Sequence, residues 1–265
     1  MLIFEKMKKK KIISLLFAFA AVLTASFLVM DWLVFYRCGA VEQCLMDGHG
    51  YQDVAKFATT ALMTIIVLLI GRSGFGTRDR RLLQAGFLVS LCADFCFKIL
   101  HDNLTGVCFF MVVQTLYIVR HTRKSDVDKH FPKILYIPLG TMLLMALLYW
   151  VGVFEKLMPP IMISYSIFIA CSALVAWLTP RIGYYPATNA KCIKWGMVLF
   201  ACCDICVGLS GLVSVDHSVQ EIVATVTHNF VWIFYVPALA LLSLSGYKEK
   251  GFTFSRRGRG GGSAR

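Results

Sequence analysis

Gly86-Phe-Leu-Val-Ser-Leu-Cys-Ala-Asp94 and Gly196-Met-Val-Leu-Phe-Ala-Cys-Cys-Asp204 align without a gap, 110 residues apart. In each, a glycine leads through apolar sequence to an aspartate eight positions on. Each aspartate has cysteines two residues to either side, Cys92 and Cys96 in the first copy and Cys202 and Cys206 in the second. A carboxylate at bilayer depth costs about 3 kcal/mol on insertion scales, so its presence there is a functional hypothesis by default. Two in matching surroundings predict an all-α membrane protein built as two parallel four-helix repeats, with a site near the midplane where the repeats meet.

The rest of the chain fits that frame. Hydrophobic residues make up 58% and charged residues 16% of 265 positions, more apolar sequence than a soluble domain of this size can bury. Eight runs are long enough to cross a hydrocarbon core about 30 Å thick at about 1.5 Å per residue. They are residues 12–35, 54–71, 82–100, 105–119, 134–153, 160–179, 193–213 and 222–246, of which 105–119 is the shortest. Residues 1–247 are read as one eight-helix transmembrane domain. Residues 248–265 are read as a basic tail, disordered by composition, that touches anionic lipid rather than nucleic acid.

Charge sets the expected orientation. With the lysine-rich start (Lys6, Lys8, Lys9, Lys10, Lys11) in the cytoplasm, residues 72–81, 120–133, 181–194 and 248–265 lie there too, and that side then holds 23 of the 27 Lys and Arg. Only Arg37, Lys56, Lys98 and Lys156 remain on or near the outer side. The positive-inside rule is met at every loop, with both termini cytoplasmic, and the net charge of +12 reads as a topology signal. The expected location is a bacterial plasma membrane or a eukaryotic equivalent. The first run continues past the length of a signal-peptide core and is read as a retained helix, with cleavage as the alternative. Of the ten cysteines, only Cys38 and Cys44 share an outer loop, as a disulfide or as two free thiols.

Helical phase separates the chemistry within each Cys-x-Asp-x-Cys element. At 100° per residue Cys92 and Cys96 share a face while Asp94 points to the opposite one, so the three cannot converge on a metal from one helix, and no metal or cofactor is expected. By the same phase Asp94 has Ser90 one turn inward and Lys98 one turn outward, the favoured order for an i, i+4 acid–base pair, so Lys98 is expected either to neutralise Asp94 or to snorkel outward. Asp204 has no basic residue at i±3 or i±4. Asp31, near the outer end of the first run, is expected to be solvated. Counting from the flanking bases Arg81 and Lys194, Asp94 and Asp204 lie roughly 20 Å and 15 Å into the bilayer. If the two approach, one holds a proton while the other is ionised, which is an acid–base apparatus. The structural alternative is polar glue between helices. Further polar groups at depth are Gln114 and Tyr117 on the fourth run, Tyr165 and Ser172 on the sixth, and His228, Asn229 and Tyr235 on the eighth, where Pro237 is expected to kink the helix.

In this order of elements the chain resembles the YhhN family of membrane proteins, which includes the animal lysoplasmalogenases. The resemblance covers about residues 82–245. It rests on Ser90-Leu-Cys-Ala-Asp94, Gln114-Thr-Leu-Tyr117, Tyr165, the set Gly196, Phe200 and Asp204, and the run from Tyr235-Val-Pro-Ala to Ser245. It implies an eight-helix fold and hydrolysis of the vinyl-ether bond of a lysophospholipid or ether lipid. Asp94 and Asp204 would be the catalysts, with Ser90, Gln114, Tyr117, Tyr165 and Tyr235 binding substrate. Membrane lipids are the other expected partners. Two positions depart from the family pattern: Gln114 stands where His is usual, and Leu239 where Gln often follows the tyrosine. The competing class is a proton- or cation-coupled transporter, or a lipid-handling protein, using the same aspartates.

Overall fold

The computed structural model describes residues 2–38, 49–71, 74–124, 132–211 and 219–248. The Cys38–Cys44 pair, the His228 side chain and the tail beyond Lys248 lie outside the described residues. Eight α-helices follow in order: α1 Leu2–Cys38, α2 His49–Leu68, α3 Thr77–Phe95, α4 Asn103–His121, α5 Tyr136–Trp150, α6 Met158–Ile182, α7 Ala187–Gly211 and α8 Val219–Leu244. Each covers one of the eight expected runs, and there is no strand among the described residues. A π-helical turn, Cys96–Leu100, extends α3, and a short 3-10 turn, Lys133–Leu135, leads into α5.

Six of these helices are long and apolar enough to cross a membrane by length and composition, which makes this a multi-pass helical membrane protein. Helix α2 is not one of the six, and α8 contributes a shorter apolar stretch, Asn229–Leu244, among the described residues. The cause in α2 is a polar stripe: Gln52, Lys56, Thr60 and Thr64 recur every four residues and all four are buried. Side chains at i and i+4 stand one above the other on a helix, so the stripe is a single face turned into the bundle, where polar groups escape lipid.

The helices close into a ring. Each of α1 to α3 packs on its successor, α4 packs on α6, α6 on α7 and α7 on α8, and α8 returns to α1 and α2. Helix α5 packs on α6 from outside, leaving Leu143, Leu147 and Trp150 exposed. An apolar surface of that extent is at home in lipid rather than water.

The aligned glycines do equivalent work in the two halves. A Cβ at Gly86 on α3 would fall 2.8 Å from Cε1 of Tyr117 on α4. One at Gly196 on α7 would fall 2.9 Å from Cγ of Leu242 on α8. In both, glycine is the notch that admits a side chain of the following helix, the small-residue device common between membrane helices.

Both ends are fastened by buried polar groups. At the end shared by the expected cytoplasmic loops, Arg120 donates to Asp79 through Nε (3.0 Å) and Nη2 (3.4 Å), and through Nη1 to Ser245 Oγ (3.0 Å). Tyr185 donates to Asp79 as well, and Asn189 Nδ2 donates to the carbonyls of Ser245 (3.2 Å) and Tyr247 (2.9 Å). One network thus ties together the start of α3, the end of α4, the α6–α7 connection and the end of α8. At the opposite end Asp31 pairs with Lys56 at 2.9 Å, both almost fully buried. This corrects the expectation of a solvated Asp31: α1 packs along α2, and the ammonium it covers requires a buried counter-charge.

Candidate active site

Asp94 and Asp204 each stand 17 residues beyond the first residue of their helices, Thr77 and Ala187, so about 25 Å along the bundle from the same end. Asp94 is buried, and its Oδ2 accepts the hydroxyls of Thr60 on α2 (2.7 Å) and Tyr235 on α8 (2.8 Å). Asp204 accepts the hydroxyl of Tyr165 on α6 at 2.7 Å. Each carboxylate therefore takes a donor from the helix before its own, the correspondence a parallel repeat requires. Asp204 keeps some accessible surface while protein closes around it, as a group on a cavity wall does.

The two tyrosine–aspartate pairs share one aromatic support. Phe110 on α4 has its ring centroid 6.5 Å from Tyr165, 6.3 Å from Tyr235 and 5.8 Å from Phe200, and Phe200 meets Tyr235 edge-on at 5.5 Å. The edge-to-face contacts of Phe110 and Phe200 with Tyr235 fix that ring's orientation and with it the direction of its hydroxyl, while the Tyr165 ring lies tilted at 40° to Phe110. Asp94 and Asp204 lie within electrostatic range of one another.

The remaining expected residues gather around this centre. Gln114 is fully buried beside the Tyr165 hydroxyl, and neither of its amide atoms finds a hydrogen-bond partner. The Tyr117 ring stacks on His121 (centroids 5.6 Å apart, planes at 12°), with its hydroxyl directed at Ser90. Tyr117 Oη and Ser90 Oγ are likewise buried without a partner at hydrogen-bonding geometry. Buried polar groups are ordinarily satisfied by protein or by ordered water, so these four unpaired atoms stand out.

Of the two expected courses for Lys98, neutralising Asp94 or reaching outward, the structure shows no pairing with Asp94; the ammonium lies 3.5 Å from Asp53 on α2. The cause is the π turn that begins two residues after Asp94. Its wider coil breaks the i, i+4 register and seats Phe97 over Gly106, where a Cβ would fall 2.5 Å from the ring, and stacks it on Phe110 (5.7 Å). Of the two cysteines that flank Asp94, Cys92 is exposed and Cys96 is buried. Among the described residues no group of three His, Cys, Asp or Glu is arranged to hold a metal ion.

Thr60 was not among the residues expected from the sequence, although the four-residue rhythm of polar positions on α2 was a signal for it. Trp232, which meets Tyr235 edge-on at 5.3 Å, carried no such signal.

The sequence pattern of the YhhN family matches residues 51–246, close to three quarters of the chain. The chain belongs to the YhhN family. No curated protein and no solved structure matches it. The YhhN match takes in both aspartates, all their hydroxyl donors and the whole aromatic support, and leaves α1 outside.

Proposed function

We propose that this protein is an integral membrane hydrolase that cleaves the vinyl-ether bond of a lysophospholipid-like substrate, with Asp94 and Asp204 as its acid–base pair. The observation that carries it is the pair of carboxylates at one depth, each oriented by a tyrosine on a common aromatic support. Membership of a lysoplasmalogenase-like family supports it.

Two hydroxyls on Asp94 against one on Asp204 suit Asp94 to bear the negative charge and Asp204 to carry the proton. The carboxyl of Asp204 transfers its proton to the carbon of the vinyl group remote from oxygen, leaving an oxocarbenium ion on the adjacent carbon. Asp94 stabilises that cation and takes a proton from a water as the water's oxygen bonds to the cationic carbon. As the resulting hemiacetal breaks its bond to the glycerol oxygen, Asp94 returns its proton to that oxygen and the ionised Asp204 takes the proton of the hemiacetal hydroxyl, so a fatty aldehyde and a glycerophospho-alcohol leave and both carboxyls regain their starting states. One water is consumed. Gln114, Tyr117 and Ser90, with their unpaired polar atoms beside the pair, are the groups suited to hold that water.

On this reading all eight helices span the membrane with both termini cytoplasmic, and Thr60 is the residue of the α2 stripe that reaches the reaction centre. The test is aldehyde release from a vinyl-ether lysolipid by purified protein. Asp94→Asn and Asp204→Asn each abolish it on this reading, and equal release by wild type and both variants overturns it. The π turn beside Asp94 favours a second reading, a proton- or cation-coupled transporter, because interrupted helices adjoin ion sites in such proteins. Gradient-dependent flux in proteoliposomes, without aldehyde release, would select it.

A further inference from the structure

From the carboxyl pair toward the Asp79–Arg120 network runs a line of polar side chains whose hydrogen-bonding capacity the protein does not meet. Gln114, Tyr117 and His121 follow one face of α4 at intervals of three and four residues, and Ser90 stands one turn before Asp94 on α3. All four are fully buried. The line is continuous. Gln114 adjoins the Tyr165 hydroxyl that binds Asp204, the Tyr117 hydroxyl faces Ser90, the Tyr117 ring stacks on His121, and His121 Nε2 lies 3.4 Å from Nη1 of Arg120. Along it Gln114 Oε1 and Nε2, Ser90 Oγ, Tyr117 Oη and His121 Nδ1 have no partner at hydrogen-bonding geometry.

Direct pairing within the line cannot satisfy it. A guanidinium only donates, so His121 Nε2 must accept from Arg120 and the ring proton belongs on Nδ1, a buried donor with no acceptor. Tyr165 gives its proton to Asp204, so its oxygen can accept from Gln114 Nε2, which still leaves Gln114 Oε1 without a donor. If Tyr117 donates to Ser90, the proton of Ser90 Oγ lacks an acceptor in turn. Under the best direct pairing a donor remains at His121, an acceptor at Gln114 and a donor at Ser90. Water both donates and accepts, and ordered water is the usual partner of buried polar groups left in this condition.

We propose that Ser90, Gln114, Tyr117 and His121 hold a file of ordered water that links the Asp94–Asp204 pair to the end of the bundle fastened by Arg120 and Asp79. Two helical turns, about 10 Å, separate Gln114 from His121, the length of about three or four waters spaced about 2.8 Å apart. His121 Nδ1 donates to the water at one end, Ser90 and Tyr117 flank the middle, and Gln114 Oε1 accepts from the water beside the carboxyl pair. Arg120, tied to Asp79 and Ser245, stops the file at its far end. Hydrolysis consumes a water at each turnover, and the file replaces it from the side of the expected cytoplasmic loops, away from the lipid. That use rests on the proposed hydrolase reading; the file itself does not.

The experiment is pulsed X-ray hydroxyl-radical footprinting of the full-length protein in nanodiscs, read residue by residue by mass spectrometry. Radicals formed from bound water modify the side chains that touch it, and buried side chains without water are spared. No lipid substrate is added, so loss of the hydrolase reading leaves the result standing. Tyr117 and His121 are expected to be modified at least tenfold faster than Phe87 and Phe168, which are aromatic and about as deeply buried in the apolar core. His121→Phe keeps a ring against Tyr117 and removes the Nδ1 donor; it is expected to slow modification of Tyr117 about fivefold and to leave the two phenylalanines unchanged. Should that variant fail to fold, the wild-type ratio decides alone. Tyr117 modified no faster than the phenylalanines, as in a dry line paired with itself, or a rate at Tyr117 that folded His121→Phe leaves unchanged, overturns the proposal.

Discussion

Tyr165 donates its hydroxyl to Asp204 at 2.7 Å from the helix that precedes the aspartate's own, as Thr60 on α2 does for Asp94 on α3. The second donor to Asp94, Tyr235, comes from α8, the last helix of the other half, and Gln114 on α4 approaches Tyr165 from the corresponding position. Asp94 thus draws a donor from a helix distant in sequence, and Asp204 from its neighbour alone.

Removing a phenol hydroxyl tests this orientation without disturbing the aromatic support. Tyr165→Phe and Tyr235→Phe keep the rings on Phe110 and lose a hydrogen bond to a charged or proton-bearing carboxyl, worth about 1.5–3 kcal/mol. Each is expected to slow vinyl-ether cleavage roughly 10- to 100-fold and to lower the thermal midpoint in detergent by several degrees while the protein stays folded. An unchanged rate would detach the tyrosines from catalysis.

The glycine notches should be intolerant of one added carbon. Gly86→Ala and Gly196→Ala push against Tyr117 and Leu242, and overpacking of this kind costs about 1–3 kcal/mol. Gly140 on α5, where an added Cβ would meet nothing within 4 Å, is the control, and Gly140→Ala is expected to be neutral or mildly stabilising. Thermal unfolding of the three variants decides; equal midpoints would remove the notch from the account.

Breaking the Asp79–Arg120 pair on one side only strands a charge that is fully buried. Arg120→Met is expected to destabilise by about 3–5 kcal/mol, and adding Asp79→Leu to recover much of that, because paired apolar replacements often match a buried ion pair. The comparison is made by denaturation of single and double variants, and a double variant no better than the single would contradict it.

Asp102 caps α4, accepting from the Thr105 backbone N–H at 3.1 Å and from its hydroxyl, and these bonds draw its carboxyl below the usual carboxylate range. A depressed folded value means that the cap's contribution is complete above the unfolded value, about 3.9, and fades as pH falls through the folded one. The midpoint difference between wild type and Asp102→Ala should therefore hold steady from neutral pH to about pH 4 and shrink below it. A gap that persists unchanged to pH 2 would exclude the carboxylate as its source.

What the chain determined by itself is its set of helices and the two residues at its centre. Transfer of twenty-residue apolar runs into lipid depends on composition alone, and a carboxylate within such a run is conspicuous wherever the helix later packs, so Asp94, Asp204 and the eight segments could be read locally. The partners of those carboxylates could not. Thr60 and Tyr235 reach Asp94 across 34 and 141 residues of sequence. In the π turn after Asp94, Phe97 sits against Gly106 of the next helix and Lys98 pairs with Asp53 on α2. Burial of Asp31 likewise depends on α1 covering Lys56. Helix formation is a property of a segment, whereas the neutralisation of a buried charge is a property of whatever segment packs against it, and only the tertiary structure chooses that neighbour.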